Sequence, residues 1–223
     1  MTDTIQAIAR SLSADVQTLG VISHNVANMN TPAYRAVRSV PAFDDGSELH
    51  TSLELRDGGV KQTDNKLDLA LHGPGFFVIQ RDGKTMLTRA GAFRLDGDGQ
   101  LVTERGDRVL GDAGPLTLST GNVRVDAHGE IWDGIQSLGQ LQIVDVGDPS
   151  ALRPAGEGAY LYDGLPAQWT GSVAQGAIEQ ANVDPADETI RLMETTRHAE
   201  SVQRAISIYD KAMDTGINHL GDN

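Results

Sequence analysis

Both ends of this 223-residue chain carry apolar residues at alternating spacings of three and four, and that pattern narrows the folds open to it. Near the N-terminus Ile5, Ile8, Leu12, Leu19, Ile22 and Val26 form a seam over about three heptads, interrupted by Asp15 with Val16 beside it. Near the C-terminus Leu192, Ala199, Val202, Ile206, Tyr209, Met213 and Leu220 repeat the alternation over about four heptads, with Thr195 and Gly216 at the weak positions. A helix of thirty-odd residues at about 1.5 Å each is a rod of roughly 50 Å, too long for a small β domain to cover. The seams therefore predict terminal helices that pair as a coiled coil, with each other or with neighbouring subunits. A private two-helix hairpin docked on the rest of the chain satisfies the same periodicity. Charge favours pairing of the ends only weakly. Residues 1–43 carry three basic and two acidic residues, +1, while residues 172–223 carry four basic and nine acidic, −5. Surface ion pairs contribute little each.

Local signals set the boundaries. Pro32 ends the first helix at or before Thr31, and Asn182-Val183-Asp184-Pro185 offers a cap and a first-turn proline for the last one. Residues 1–35 read as a helix and polar corner, 36–59 as an arm, 60–172 as a β domain and 173–223 as the C-terminal helix. Asp44-Asp45-Gly46 and Asp57-Gly58-Gly59 supply turns in the arm, around a short strand at 52–55. In the β region Leu67, Leu69 and Leu71 alternate with polar or small residues, and Phe76-Phe77-Val78-Ile79 follows Gly73-Pro74-Gly75. Residues 93–102 and 123–132 repeat one design, strand, Asp-x-x-Gly turn, strand, which predicts two like hairpins. The fold class is thus mixed α and β: terminal α-helices pairing as a coiled coil, plus a central, mostly antiparallel β domain.

Composition removes several functions. With 18 Lys and Arg against 31 Asp and Glu, the net charge of −13 repels phosphate backbones, so no nucleic-acid partner is expected. The chain has no Cys, hence no disulfide framework, thiolate zinc site or cysteine nucleophile. No apolar run approaches the roughly 18 residues a membrane span needs, so no membrane insertion is expected. The first residues lack the basic and apolar regions of a cleaved secretory signal. Aromatics make up only 4% beside 25 Gly, which suits a modest core with parts that depend on partners.

Chemistry-bearing motifs are scarce. Asp96-Gly-Asp-Gly-Gln opens like a calcium loop, but Leu101 stands where the sharp-turn glycine belongs, so a hairpin turn is the reading. The six His residues, at 24, 50, 72, 128, 198 and 219, fall at no metal-ligand spacing, and His198 and Glu200 occupy different helix faces. Ser137 and Ser172 lack nucleophile-elbow surroundings, and Gly73-Pro-Gly has proline where a phosphate cradle needs an N–H. No catalytic, metal or cofactor residue is singled out and no cofactor is expected. A hydrolase would need a pocket of convergent polar groups.

The stretch Ile22–Arg35 resembles the N-terminal motif of the bacterial flagellar basal-body rod and hook protein family, through Asn25, Ala27, Asn28, Thr31, Tyr34 and Arg35. Ala33 replaces the usual glycine and puts a left-handed turn there in question. Residues 67–79 and 87–102 look like the β core of the longer family members, and 176–183 resembles the junction before their last helix. Arg197-His-Ala-Glu200 stands where the family has Arg-x-aromatic-Glu, with His198 and Ala199 departing from it. The resemblance implies a structural subunit rather than an enzyme, located in the periplasmic rod of the basal body. It would be exported by the flagellar type III apparatus without signal cleavage and polymerise with copies of itself and other rod subunits. Its interface would comprise Ile5, Ile8, Leu12, Leu19, Ile22, Asn25, Val26, Asn28, Thr31, Tyr34, Leu192, Val202, Ile206, Tyr209, Met213 and Leu220. The length is too great for the small rod subunits and too short for the hook protein, and the segments 109–116 and 139–144, with the short stretch after Tyr34, favour the proximal-rod members over the distal-rod ones. A secreted β-rich fibre or adhesin is the remoter alternative.

Overall fold

The computed structural model describes residues 2–40, 50–119 and 122–221. The Asp44-Asp45-Gly46 turn expected in the arm lies outside the described residues. Two long helices bracket the chain, α1 at Thr2–Asn28 and α2 at Pro185–Gly221, and between them come short strands beginning with β1, Val37–Val40, and β2, His50–Leu53. Helix α1 stops four residues before Pro32, and α2 starts where Asp184 Oδ1 accepts the Ala186 N–H at 2.8 Å. Asp187 and Glu188 in its first turn suit the positive end of the helix dipole.

The chain divides into two compact units: Met1–Ala27, Val37–Ser52 and Asp184–Asn223 form unit 1, and Asn28–Ala36 with Leu53–Val183 form unit 2. Unit 2 is built on an antiparallel sheet whose central strand, Phe76–Arg81, pairs with Lys84–Thr88 on one side and Arg108–Gly111 on the other. Its apolar run does not alternate because both faces are covered. Phe77 and Ile79 join a cluster with Leu69, Leu71, Phe93, Val109 and Ile131. Phe76 and Val78 join a second with Leu87, Val146, Leu152 and Tyr160. Edge-to-face rings close each side, Phe77 on Phe93 at 5.1 Å and Phe76 on Tyr160 at 5.8 Å.

The repeated hairpins share one turn. Asp96 Oδ1 accepts the N–H groups of Asp98 and Gln100 at 3.0 and 2.8 Å, and Asp126 Oδ1 those of His128 and Glu130, both at 2.9 Å. Gly99 and Gly129 supply the left-handed step, at φ +76° and +83°.

The coiled coil expected of the terminal helices is not formed. Helices α1 and α2 run antiparallel and touch through polar groups, Asp15 with His198 and Asn25 with Glu188. The seam residues Ile5, Val26 and Leu192 stay 56, 42 and 44% exposed. A coiled coil needs apolar knobs on the facing sides. Here the side that α1 turns inward buries Asp15, Ile22 and Asn25, and two polar groups in three cannot interlock as such knobs.

Candidate functional site

Among the described residues the candidate site is the joint where the segments leaving α1 and entering α2 are fixed. In unit 2 the corner after α1 begins as a turn in which Thr31 N–H donates to Asn28 O at 2.9 Å and the Thr31 hydroxyl to Asn28 Oδ1 at 3.3 Å. Ala33 then adopts φ +58°, so the left-handed turn persists although alanine replaces glycine. Its N–H donates to Glu179 O at 2.9 Å, and the Asn182 N–H donates to Tyr34 O at 3.2 Å, laying the corner beside the junction that precedes α2. Asn182 uses its whole carboxamide. Oδ1 accepts the Ala36 N–H at 2.7 Å, and Nδ2 donates to the carbonyls of Glu54 and Arg56, both at 2.8 Å.

Beneath this joint sits a ring of two guanidinium groups and two carboxylates, in which Arg35, Arg89 and Glu179 are buried and Asp57 faces solvent. Arg35 meets Glu179 at 3.1 Å and Asp57 at 3.5 Å, and Arg89 meets the same two at 2.5 and 2.9 Å. Arg89 is 1% exposed and also donates to the carbonyls of Leu71, Gly73 and Gly75 at 2.6–2.9 Å. Glu179 accepts the Gly58 N–H as well, at 2.8 Å. A Cβ on Gly58 would lie 2.0 Å from Gln180 O, so only glycine lets the arm come this close. Burial, the largest influence, pulls the Arg35 guanidinium below its ordinary value, against the attraction of Glu179 and Asp57. Formal charge balances across the ring, which makes the burial of Arg35, Arg89 and Glu179 tolerable.

Unit 1 has its own node. Asn25, fully buried on α1, pairs with β1 as a strand would: Nδ2 donates to Val37 O and Oδ1 accepts the Val37 N–H, both at 2.9 Å. Nδ2 also reaches Glu188 Oε2 at 3.3 Å, and the buried Glu188 carboxylate takes an ion pair from Arg38. Ten residues earlier on α1 the buried Asp15 carboxylate meets His198 Nδ1, 2.9 Å from each oxygen.

Of the residues named from sequence, Asn25 enters the unit 1 node, while Asn28, Thr31 and Tyr34 build the corner. Ile22 is buried; Ile8, Leu12, Leu19, Val202, Ile206 and Tyr209 are half-buried. The side chains of Met213 and Leu220 lie outside the described residues. Arg89, Glu179, Asp57, Asn182 and Glu188 were missed. The visible signals were the 176–183 junction, which contains Glu179 and Asn182, and a charge amid apolar and small residues, as in Leu87-Thr-Arg-Ala-Gly91. Among the described residues no group of three or more His, Asp or Glu could hold a metal ion, and no helix is long and apolar enough to cross a membrane.

Residues 70–133 match the flagellar hook protein FlgE/F/G D1 domain, and residues 174–219 the flagellar basal body rod FlgEFG protein C-terminal family. The chain is 30% identical to the flagellar basal-body rod protein FlgG of Agrobacterium fabrum, over 91% of this chain and 94% of that protein. It is 29% identical to FlgF of Caulobacter vibrioides, over 91% of each, and 27% identical to FlgF of Mesorhizobium japonicum, over 99% of each.

Proposed function

Because the chain belongs to the flagellar basal-body rod protein family, whose members are structural and not enzymatic, we propose that it is a proximal-rod, FlgF-like subunit docked through its terminal helices. Rod proteins of this family reside in the basal body and assemble with its other components. One observation carries the mode of docking. Seven of the eleven exposed large apolar side chains among the described residues lie on α1 and α2: Ile5, Val16, Val26, Ile190, Leu192, Met193 and Ile208. Covering each fully against a neighbour would contribute roughly 1.5–3 kcal/mol, a drive toward assembly that the isolated chain leaves unused.

In this reading the neighbours are copies of the chain and other rod subunits, and heterologous contacts between them propagate into a tube. The half-buried seam residues, Leu12 and Ile206 among them, would complete their burial there. Passage through the flagellar type III export apparatus precedes docking, and a chain without cysteine has no disulfide to hinder it. The proximal assignment is supported by chain economy. An equal share of this chain, 91%, aligns over 224 residues with Caulobacter FlgF but over 249 with Agrobacterium FlgG, so the FlgF alignment carries fewer residues without a counterpart here.

Deleting the gene in its source organism and imaging isolated basal bodies tests the reading. A rod stopped short, without hook or filament, is expected, and the stub length and its remaining subunits distinguish a proximal from a distal position. Complementation with Leu12→Asp or Ile206→Asp should not restore the rod. Intact flagella in the deletion strain would overturn the assignment, and full rescue by both variants would overturn docking through the helices.

A further inference from the structure

We propose that Asp15 and His198, together with Asn25 and Glu188, set the antiparallel register of the terminal helices and exclude its one-turn slips. Going ten residues toward the C-terminus on α1, from Asp15 to Asn25, is matched by ten toward the N-terminus on α2, from His198 to Glu188. Both contacts therefore belong to one alignment. Three of the four groups are buried, Asp15 at 8% exposed and Asn25 and Glu188 at 0%, so each has lost the water that would accept an alternative pairing.

The sequence on either side makes the alternatives costly. Slip α2 by about one turn in one direction and Asp15 comes opposite Glu194, a like charge, while Asn25 comes opposite Asp184. Slip it the other way and Asp15 comes opposite Val202 and Asn25 opposite Leu192, which leaves the buried Asp15 carboxylate facing an aliphatic side chain. An apolar heptad seam lacks this discrimination, because translation by a turn exchanges one aliphatic contact for another; a polar residue in such a seam specifies register at some cost in stability. Asp15 interrupts the N-terminal seam and His198 departs from the family pattern at the other end of the chain, and the two meet each other. The consequence for assembly rests on the rod reading above: one fixed register presents the exposed stripe of α1 and that of α2 at one axial offset to a neighbour. The register itself can be measured in the isolated chain.

Cysteine cross-linking does so cleanly, since the protein has no cysteine of its own. Thr18 and Thr195 lie three residues from Asp15 and His198 in the same alignment, and both line the groove of about 240 Å³ between the helices. In the full-length protein, Thr18→Cys with Thr195→Cys should form an intramolecular disulfide under mild oxidation, well above the yield of Thr18→Cys with Arg191→Cys or with Ala199→Cys. Adding Asp15→Ala or His198→Ala should lower the yield of the disulfide between positions 18 and 195 roughly fivefold or more relative to the slipped pairs. The exchanged pair, Asp15→His with His198→Asp, should bring it back. Asp15→Leu with His198→Leu guards against simple loss of helix: it should keep the helical signal while spreading cross-links over several registers. Equal yields at all three α2 positions without further substitution, or an unchanged preference for position 195 in the Leu–Leu variant, would overturn the proposal. Loss of motility with the register intact would bear on the rod reading alone.

Discussion

Unit 2 and unit 1 bury opposite kinds of side chain. Unit 2 holds both apolar clusters, and backbone carbonyls of Leu71, Gly73 and Gly75 hold the Arg89 corner of its ion ring. In unit 1 the buried side chains among the described residues are Ile22, Asp15, Asn25 and Glu188, three of them polar, and neither apolar cluster includes any residue of that unit. Apolar area supplies stability without direction, whereas hydrogen bonds supply direction with little net stability. Unit 2 therefore has the means to stand alone. Unit 1 has a defined geometry and an unfinished burial, as befits helices that a neighbouring subunit would cover.

The largest test of this contrast is Arg89→Ala. It leaves Glu179 buried beside a single guanidinium and strips three carbonyls of their donor, so unit 2 should lose about 3–5 kcal/mol in urea unfolding. A loss under about 1 kcal/mol would mean that the ring is solvated and the apolar clusters alone hold the joint. Next comes Asn25→Ala, which orphans the Val37 N–H and carbonyl and one oxygen of Glu188, at a cost of about 1–3 kcal/mol. The helical far-UV signal should melt earlier while the near-UV signal of Phe76, Phe77 and Tyr160 keeps its transition. Coincident shifts of both signals would show one cooperative body and erase the distinction between the units.

What could be read in advance follows the same division. The strand Phe76–Ile79 and the twin Asp-x-x-Gly hairpins are local: side-chain period and turn chemistry decide them within about ten residues. The corner at Asn28–Arg35 was legible as a motif, though not the strained Ala33 conformation inside it. The ring was not legible, because Arg89 and Glu179 lie ninety residues apart and nothing local to either names the other. The seams misled for a related reason. Periodicity reports which face of a helix is apolar but not what that face meets, and the polar interruption at Asp15 proved to be the contact itself.

Acid should separate the units further. The Arg81 guanidinium, bonded at 2.8 Å to both oxygens of Asp107, holds that carboxyl below its ordinary value. A depressed folded-state pKa contributes stability that is fully present above the unfolded value, near 3.8, and is lost as pH falls through the lower folded value. Unit 2 should weaken progressively as the pH drops below about 4, and Asp107→Asn should flatten that part of the profile in urea melts. An unchanged acid limb in the variant would locate the acid sensitivity elsewhere.

The smallest effect expected is at Ala33, and there two terms oppose. Relieving a left-handed conformation is worth about 1–2 kcal/mol for a residue with a Cβ. Removing the methyl of a side chain only 5% exposed gives back about 0.8 kcal/mol. Glycine also frees the unfolded chain, which takes a further few tenths to 1 kcal/mol. Ala33→Gly should therefore leave unit 2 within roughly 1 kcal/mol of the parent despite being the residue the turn geometry prefers. A gain well beyond that would mean that the methyl contributes little packing and the corner stores most of the strain. A comparable loss would mean that the methyl anchors the corner against the junction at Glu179, so that packing, and not backbone preference, retains alanine in a left-handed turn.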